Sequence, residues 1–426
     1  MHAGRWTMLG YGTTQILRLA GNLVLTRLLF PEAFGLMALV MAVVTGVTML
    51  SDVGIEQSIV HNKRGHEPAF VNTAWTIQVI RGLLISIALW LLAVPIASFY
   101  GEPMLSQLLP VVGLTSVIGG LRSTKMASAD RDLVIARTTV ITVGSYALGL
   151  TVTVIWAWLD RSIWSLVIGS IVGAVALTVA SHALLGGIRN RFFLERESLR
   201  GLLTFGSWIF VSSALTFLVG EGNRLLIGGM LDVKMLAFFA LAMTMDRLLL
   251  EVVQQISGKV LFPAYSEVVR ERPERLYAVV LKSRLIQIVP YWFAGVFFVY
   301  FGDSLMSILY DERYKDSGWM LQMLAMGSLI RCVIVSYNGI LWAKGMVRIS
   351  TALVAVQLFL QIMAMIVGYH FGGAKGMILG LAAGQWLLYP AYAFVFSRIS
   401  LWQPKIDFPF IGMSFLIALT MLGRFF

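Results

Sequence analysis

One cysteine, Cys332, stands in 426 residues. A single thiol excludes an intrachain disulfide and any thiolate-ligated metal cluster. Histidine is scarce as well. The five (His2, His61, His66, His182 and His370) are scattered with no metal-ligand spacing. Charge is what the chain lacks most. Only 13% of residues are charged, where a soluble domain has roughly a quarter. Hydrophobic residues make up 58%, and the mean hydropathy is +0.81. A chain this long and apolar cannot cover its own surface with polar groups, so its solvent must be a bilayer. A soluble core of this size would also exceed the usual limit for one domain. Catalytic motifs are missing too: no Walker loop, no nucleophile elbow, no GxGxxG on a strand-to-helix turn. No cofactor is implied. Nor is there a long outer loop on which a membrane polymerase or ligase would keep its acid–base groups. The longest outer link, "DSLMSILYDERYKDS" (303–317), is short.

What is present is a series of apolar runs, each near the roughly 20 residues that a membrane helix needs. They read as spans at 7–29, 33–55, 71–99, 104–124, 138–159, 163–186, 203–229, 235–262, 278–302, 318–342, 349–372 and 376–398, with a thirteenth run at 408–424. The first run contains Gln15 and Arg18 and leads straight into the second, so it does not read as a cleavable signal peptide. Between the first two, Pro31 and Glu32 mark an outer turn, because proline disfavours helix at Phe30 and suits the first turn of the next helix.

Basic residues set the orientation. With the N-terminus in the cytoplasm, the inner links, inner termini and the span ends beside them carry 20 Lys and Arg, the outer links five, and eight more lie within the spans. That asymmetry predicts a multi-pass protein with the N-terminus inside. It also accounts for most of the +11 net charge, so nucleic acid is not needed as a partner. The segment "GIRNRFFLERESLR" (187–200) reads as a cytoplasmic linker between two six-helix halves, with an interfacial helix as one form it takes. The divisions are 1–187, 188–200, 201–400 and an added apolar helix at 401–426.

The halves echo each other. "TRLL" begins at 26 and "NRLL" at 223; at the same offset of 197, Leu39 matches Leu236, Gln57 matches Gln254 and Ile59 matches Ile256. Six helices per repeat is an even number, so both repeats run the same way and are related by a two-fold axis along the membrane normal. The fold class is therefore an all-α polytopic membrane protein of two six-helix lobes.

Apart from those counted at inner span ends, eight basic residues lie inside spans. Arg27, Arg224, Lys259 and Arg424 lie near span ends, where snorkelling to headgroups explains them. Glu221 beside Arg224 reads as a local ion pair. Asp52 and Glu56, at the inner end of the second span, read as solvated or structural. Arg18, Arg81, Arg247 and Arg331 lie about a dozen residues into their spans, where an arginine costs about 2.5–3.5 kcal/mol on the most lenient scale. These four should face a hydrated or protein-lined interior. Gln15, Arg18, Asn22 and Thr26 form one helical stripe; Gln78 and Arg81 are one turn apart. Asp246, Arg247 and Glu251 cluster in span eight. That cluster is read in two ways: as internal pairing (Arg247 with Glu251, Asp246 with Arg18 or Arg331), or as an anion site or ion relay. Four mid-depth arginines against two carboxylates leave a positive surplus, which suits a phosphate-bearing substrate.

"TRLLFPEAFGLMAL", "SDVGIEQSIV" (51–60), "NTAWT" (72–76), "PIASFYGEPMLSQLL" (95–109), "RLLIGGML" (224–231) and "LFPAYSEV" (261–268) resemble the Wzx-type oligosaccharide flippases of bacterial envelopes, in the superfamily of the MATE exporters and the lipid II flippase. The resemblance implies two lobes around a cavity that alternates its access, in the inner membrane. The implied cargo is an undecaprenyl-diphosphate-linked oligosaccharide, with a polymerase and a chain-length regulator as pathway partners. It also implies cavity positions at Arg18, Asn22, Asp246, Arg247 and Glu251. Asp246 and Glu251 are the candidates for ion coupling. A MATE-like cation-coupled antiporter and a lipid II flippase are the alternatives. The chain departs from the family pattern at Asn223-Arg224, where an acidic residue is expected.

Overall fold

The computed structural model describes residues 2–132, 134–257 and 261–425. It holds sixteen α-helices and no strand among the described residues. Among the described residues, each of the thirteen apolar runs is helical over most of its length. Eight of the helices are long and apolar enough to cross a membrane, or nine if a pair bent by 56° (Leu105–Gly120 with Lys125–Arg131) is one span. The run at 203–229 lies on α9 (Arg196–Met230), while two helices that carry expected spans fall short by that measure: α1 (His2–Leu28) and α10 (Val233–Ile256). Their polar residues, Arg18 and Asn22 on α1 and Asp246, Arg247 and Glu251 on α10, are the ones read as facing an interior. Lys259 lies outside the described residues.

The chain divides into two compact units, Met1–Ala237 and Phe238–Phe426. In the first, α2 (Pro31–Leu50) starts as expected: Phe30 is extended (φ −80°, ψ 152°) and Pro31 takes the first helical position. A short α3 (Ile55–His61) leads to α4 (Pro68–Tyr100), α5 (Leu105–Gly120), α6 (Lys125–Arg131), α7 (Ile135–Leu159) and α8 (Trp164–Ala183). The helices α4 and α5 pack as a pair, as do α7 and α8; α1 lies on α7, and α9 lies on α2 and α4. The α7–α8 crossing is close because glycines face each other. A Cβ on Gly169 would stand 2.7 Å from the Gly149 carbonyl oxygen and 1.7 Å from Thr153 Oγ1, so only hydrogen fits.

Residues 188–195 are not an interfacial helix. They run extended along the first turns of α4, and helix resumes at Arg196. The reason is competition for backbone groups. The amides of Arg191, Phe193 and Glu195 donate to Asn72 Oδ1, Thr76 Oγ1 and Thr73 Oγ1, each at 3.0 Å. Side-chain acceptors on a neighbouring helix thus replace the helical ladder. Arg64 locks the far end, donating from Nη2 to Glu195 Oε2 at 2.8 Å. Hydrogen bonds from Ser198 and then Arg64 hold the Glu195 carboxyl below its ordinary value.

In the second unit, α11 (Phe262–Glu271) precedes α12 (Leu276–Leu309), and α13 (Ser317–Val335) is buried along almost its whole length. It packs on α12, on α15 (Val347–Arg398) and on α16 (Pro404–Phe425). Between them lies a short α14 (Asn338–Ala343). The helix α15 is two helices in one. Gly372 and Gly373 break it, Gly373 at φ +55°, a left-handed conformation that glycine adopts without strain. The break coincides with the expected boundary between the runs at 349–372 and 376–398.

Candidate functional site

The stripe expected on α1 faces protein. Thr26 is fully buried and donates to the Asn22 carbonyl at 2.8 Å. Gln15 donates from Nε2 to Tyr11 Oη at 2.8 Å. Arg18 and Asn22 open onto a cavity of about 490 Å³ within the first unit, walled by α1, α2, α7 and α8. Thr142, Ser145, Tyr146, Thr153 and Ser170 also line it. Thr142, Thr153 and Ser170 each donate to a carbonyl of their own helix, at 2.8, 2.9 and 2.7 Å. Their hydroxyl oxygens are left with acceptor capacity. Arg18 is the one charged residue among the described residues that line this cavity.

Arg81 lies elsewhere. It lines a second cavity of the same unit, about 430 Å³, with Asp52, Glu56, Gln78 and Arg122. Its guanidinium donates to the Thr48 carbonyl at 2.6 Å and to Ser51 Oγ at 3.3 Å, and lies 3.7 Å from Asp52 Oδ1. These acceptors form the C-terminal turn of α2. A cation there satisfies orphan carbonyls and opposes the negative end of the helix dipole. Arg122 pairs with Glu56, so each arginine of this cavity has a carboxylate beside it. Arg18 and Arg81 are therefore in separate cavities.

In the second unit the acid of span eight has found its arginine. Arg331 Nη1 is 2.8 Å from Asp246 Oδ2, and Asp246 is fully buried. The hydroxyl of Ser328 donates to the other carboxylate oxygen. This is one of the two pairings the sequence left open for Asp246. Arg247 and Glu251 are half-buried on α10. Near the end of α9, Arg224 pairs with Glu221 at 2.6 Å, as expected.

Sequence reasoning missed a further charged pair. Arg284 Nη2 donates to Asp407 Oδ1 at 2.6 Å, and both side chains are fully buried. Tyr337 and Tyr389 donate to Asp407 Oδ2 at 2.7 and 2.9 Å. Arg284 Nε donates to Ser336 Oγ at 2.8 Å, and the guanidinium lies 3.5 Å from the Tyr337 ring centroid. By sequence Arg284 counts among the inner charges, at the cytoplasmic end of the run 278–302. The signal was its register: Val280, Arg284, Gln287, Ile288 and Tyr291 share the buried face of α12. No group of three or more His, Cys, Asp or Glu that could hold a metal occurs among the described residues.

Residues 24–318 match the polysaccharide biosynthesis protein family. The chain belongs to that family. Among curated relatives, the lipopolysaccharide biosynthesis protein WzxC of Escherichia coli (strain K12) is 22% identical over 418 residues, covering 94% of this chain and 84% of its own. The succinoglycan biosynthesis transport protein ExoT of Rhizobium meliloti (strain 1021) is 22% identical, covering 77% and 66%. Solved structures show the fold. The lipid II flippase MurJ in an inward closed conformation superposes with a TM-score of 0.73 at 12% identity, over 97% of this chain and 93% of that one. An inward-facing multidrug resistance MATE family transporter of the MOP superfamily gives 0.71 at 14% identity, over 91% and 94%. The resemblance read from the sequence and the all-α polytopic fold therefore hold for this family member.

Proposed function

We propose that this chain carries an undecaprenyl-diphosphate-linked oligosaccharide repeat unit from the cytoplasmic to the periplasmic leaflet of the inner membrane by alternating access, for surface polysaccharide assembly. The observation that carries the reading is the Arg18 cavity. Arg18 shares this lining with Asn22 and several hydroxyls, and a guanidinium suits a phosphate oxygen. The hydroxyl oxygens of Thr142, Thr153 and Ser170 are placed to accept hydrogen bonds from sugar hydroxyls. Arg18 opens onto this cavity together with Asn22, so it is the first phosphate contact, with Arg81, Arg247 and Arg331 secondary. Asp246 and Glu251 are the candidates for coupling to an ion gradient. The six-plus-six division around 188–200, the inside N-terminus, and a polymerase and chain-length regulator as partners belong to the same proposal. The names of WzxC and ExoT support a polysaccharide cargo.

A cation antiporter of the MATE kind would need a carboxylate in this cavity, and its described lining has none. The test is Arg18→Glu in a strain that depends on this gene for surface polysaccharide. Polysaccharide should be lost while the protein still inserts at its normal level, and Arg18→Lys should keep part of the activity. Normal polysaccharide with Arg18→Glu would sink the proposal.

A further inference from the structure

The extended linker 188–195 presents three consecutive apolar side chains to the outside: Phe192 is 69% exposed, Phe193 49% and Leu194 55%. Such a run on a solvated loop is unfavourable, because it leaves large apolar area in water. Its place along α4 explains it. The linker is bonded to Asn72, Thr73 and Thr76. The same face of α4 continues, one turn on from Thr76, as the exposed apolar stripe Ile80, Leu84, Ile87, Leu91 and Val94. From Ile80 to Phe99 the helix rises about 29 Å, the thickness of a hydrocarbon core of about 30 Å. Residues 72–76 then lie about 6–12 Å beyond that core, at headgroup level, and the linker with them. Phe192 also packs on Trp75, ring centroids 4.9 Å apart, so the triad has a fixed support.

The charges around the triad are mainly basic: three exposed arginines stand against two carboxylates, both of which lie against Arg64. Arg189, Arg191 and Arg196 are exposed. The nearest carboxylates, half-buried Glu195 and exposed Glu197, lie 2.8 and 3.5 Å from Arg64, in the turn that connects α3 to α4, which offsets their charge. The outward face of the linker is thus basic and aromatic, the composition of an interfacial anchor. We propose that the segment Arg189–Arg196 is a binding site for anionic phospholipid of the cytoplasmic leaflet. Phe192, Phe193 and Leu194 enter the acyl boundary, and Arg189, Arg191 and Arg196 hold headgroup phosphates. Because the backbone is bonded to α4 at every second residue, this site needs no folding on contact, and lipid bound here braces the start of α9.

The test uses the whole protein in nanodiscs of phosphatidylcholine alone or with one quarter phosphatidylglycerol, and native mass spectrometry of the lipids it retains. Wild-type protein should retain phosphatidylglycerol over phosphatidylcholine and melt at a higher temperature in the anionic discs. At about a fivefold effect per basic residue near an anionic surface, Arg189→Gln/Arg191→Gln/Arg196→Gln should weaken retention by roughly a hundredfold. It should also melt at the same temperature in both discs. The corresponding triple lysine variant should restore the preference, which a merely structural defect would not allow. Equal retention of the two lipids by wild type, or full retention by the glutamine variant, overturns the proposal. So does displacement of bound phosphatidylglycerol by millimolar inorganic pyrophosphate with no change on removing the apolar triad (Phe192→Ser/Phe193→Ser/Leu194→Ser). That result would make the arginines a soluble-phosphate site instead.

Discussion

An arginine at zero exposure is stable only if its charge and all its donors are met. Arg284 meets that condition through Asp407, Ser336, Gln403 and the face of Tyr337. Removing the acid leaves an uncompensated buried cation and two tyrosine hydroxyls without their acceptor. Asp407→Ala should therefore lower unfolding stability by about 3–5 kcal/mol, measured by denaturant or thermal unfolding in detergent. A loss below about 1 kcal/mol would show that the pair is open to water. None of this was legible from residue type alone. Topology counting treats Arg284 as one more inner charge, and Asp407 precedes the apolar run at 408–424. What betrays the pair is helical register, since Arg284 shares a face with Val280, Ile288 and Tyr291. Arg81 teaches the converse. Counting residues from the start of its own helix put it at mid-depth, yet its donors reach the last turn of α2. The helix α4 is 33 residues long, about 50 Å, so it outruns the bilayer and depth cannot be measured from its end. Arg18 was legible because its stripe partners Asn22 and Thr26 share its face.

Helix ends repeat the role of Arg81. Three helices in the first unit have C-termini met by a cation from elsewhere in the chain. Arg81 meets α2, Arg131 meets α3 and Lys125 meets α8. Arg131 Nη1 donates to the carbonyls of Ile59 at 2.7 Å and Asn62 at 2.5 Å. Lys125 Nζ donates to those of His182 at 3.0 Å and Leu185 at 2.9 Å. The basic residues counted as inner links thus do two things at once: they bias orientation and they close helix ends. Arg131→Gln removes the charge and shortens the reach. It should cost about 1–2 kcal/mol, and hydrogen exchange should rise in 55–62 while α7 and α8 keep their protection. Exchange rising equally throughout the unit would mean that Arg131 holds more than this one helix end. At this scale most of the architecture was readable. The runs, the Pro31 turn and the break near Gly373 follow from local chemistry. The linker did not, because its conformation depends on acceptors at Asn72, Thr73 and Thr76, more than a hundred residues away in the chain.

For the whole molecule the question is which way it sits. The 20-to-5 asymmetry of basic residues between the two sets of links is far stronger than chance, and each link charge weighs on orientation during insertion. Family membership fixes the kind of protein without fixing its direction in the membrane, so the charge argument has to be tested by itself. The single native thiol makes that simple. Cys332 is buried and can be replaced by serine to give a cysteine-free chain. Lys63 and Arg161 are both exposed in the first unit, at links assigned to opposite sides. In the Cys332→Ser background, Arg161→Cys should react with a membrane-impermeant maleimide added to spheroplasts. Lys63→Cys should react only after the membrane is opened. The reverse pattern would turn the protein over, placing the linker 188–195 and its arginines at the periplasmic face. The leaflet in which cargo is loaded and the leaflet whose phospholipid the linker meets would then both be reassigned, so this labelling decides the direction of transport and the location of the lipid site together.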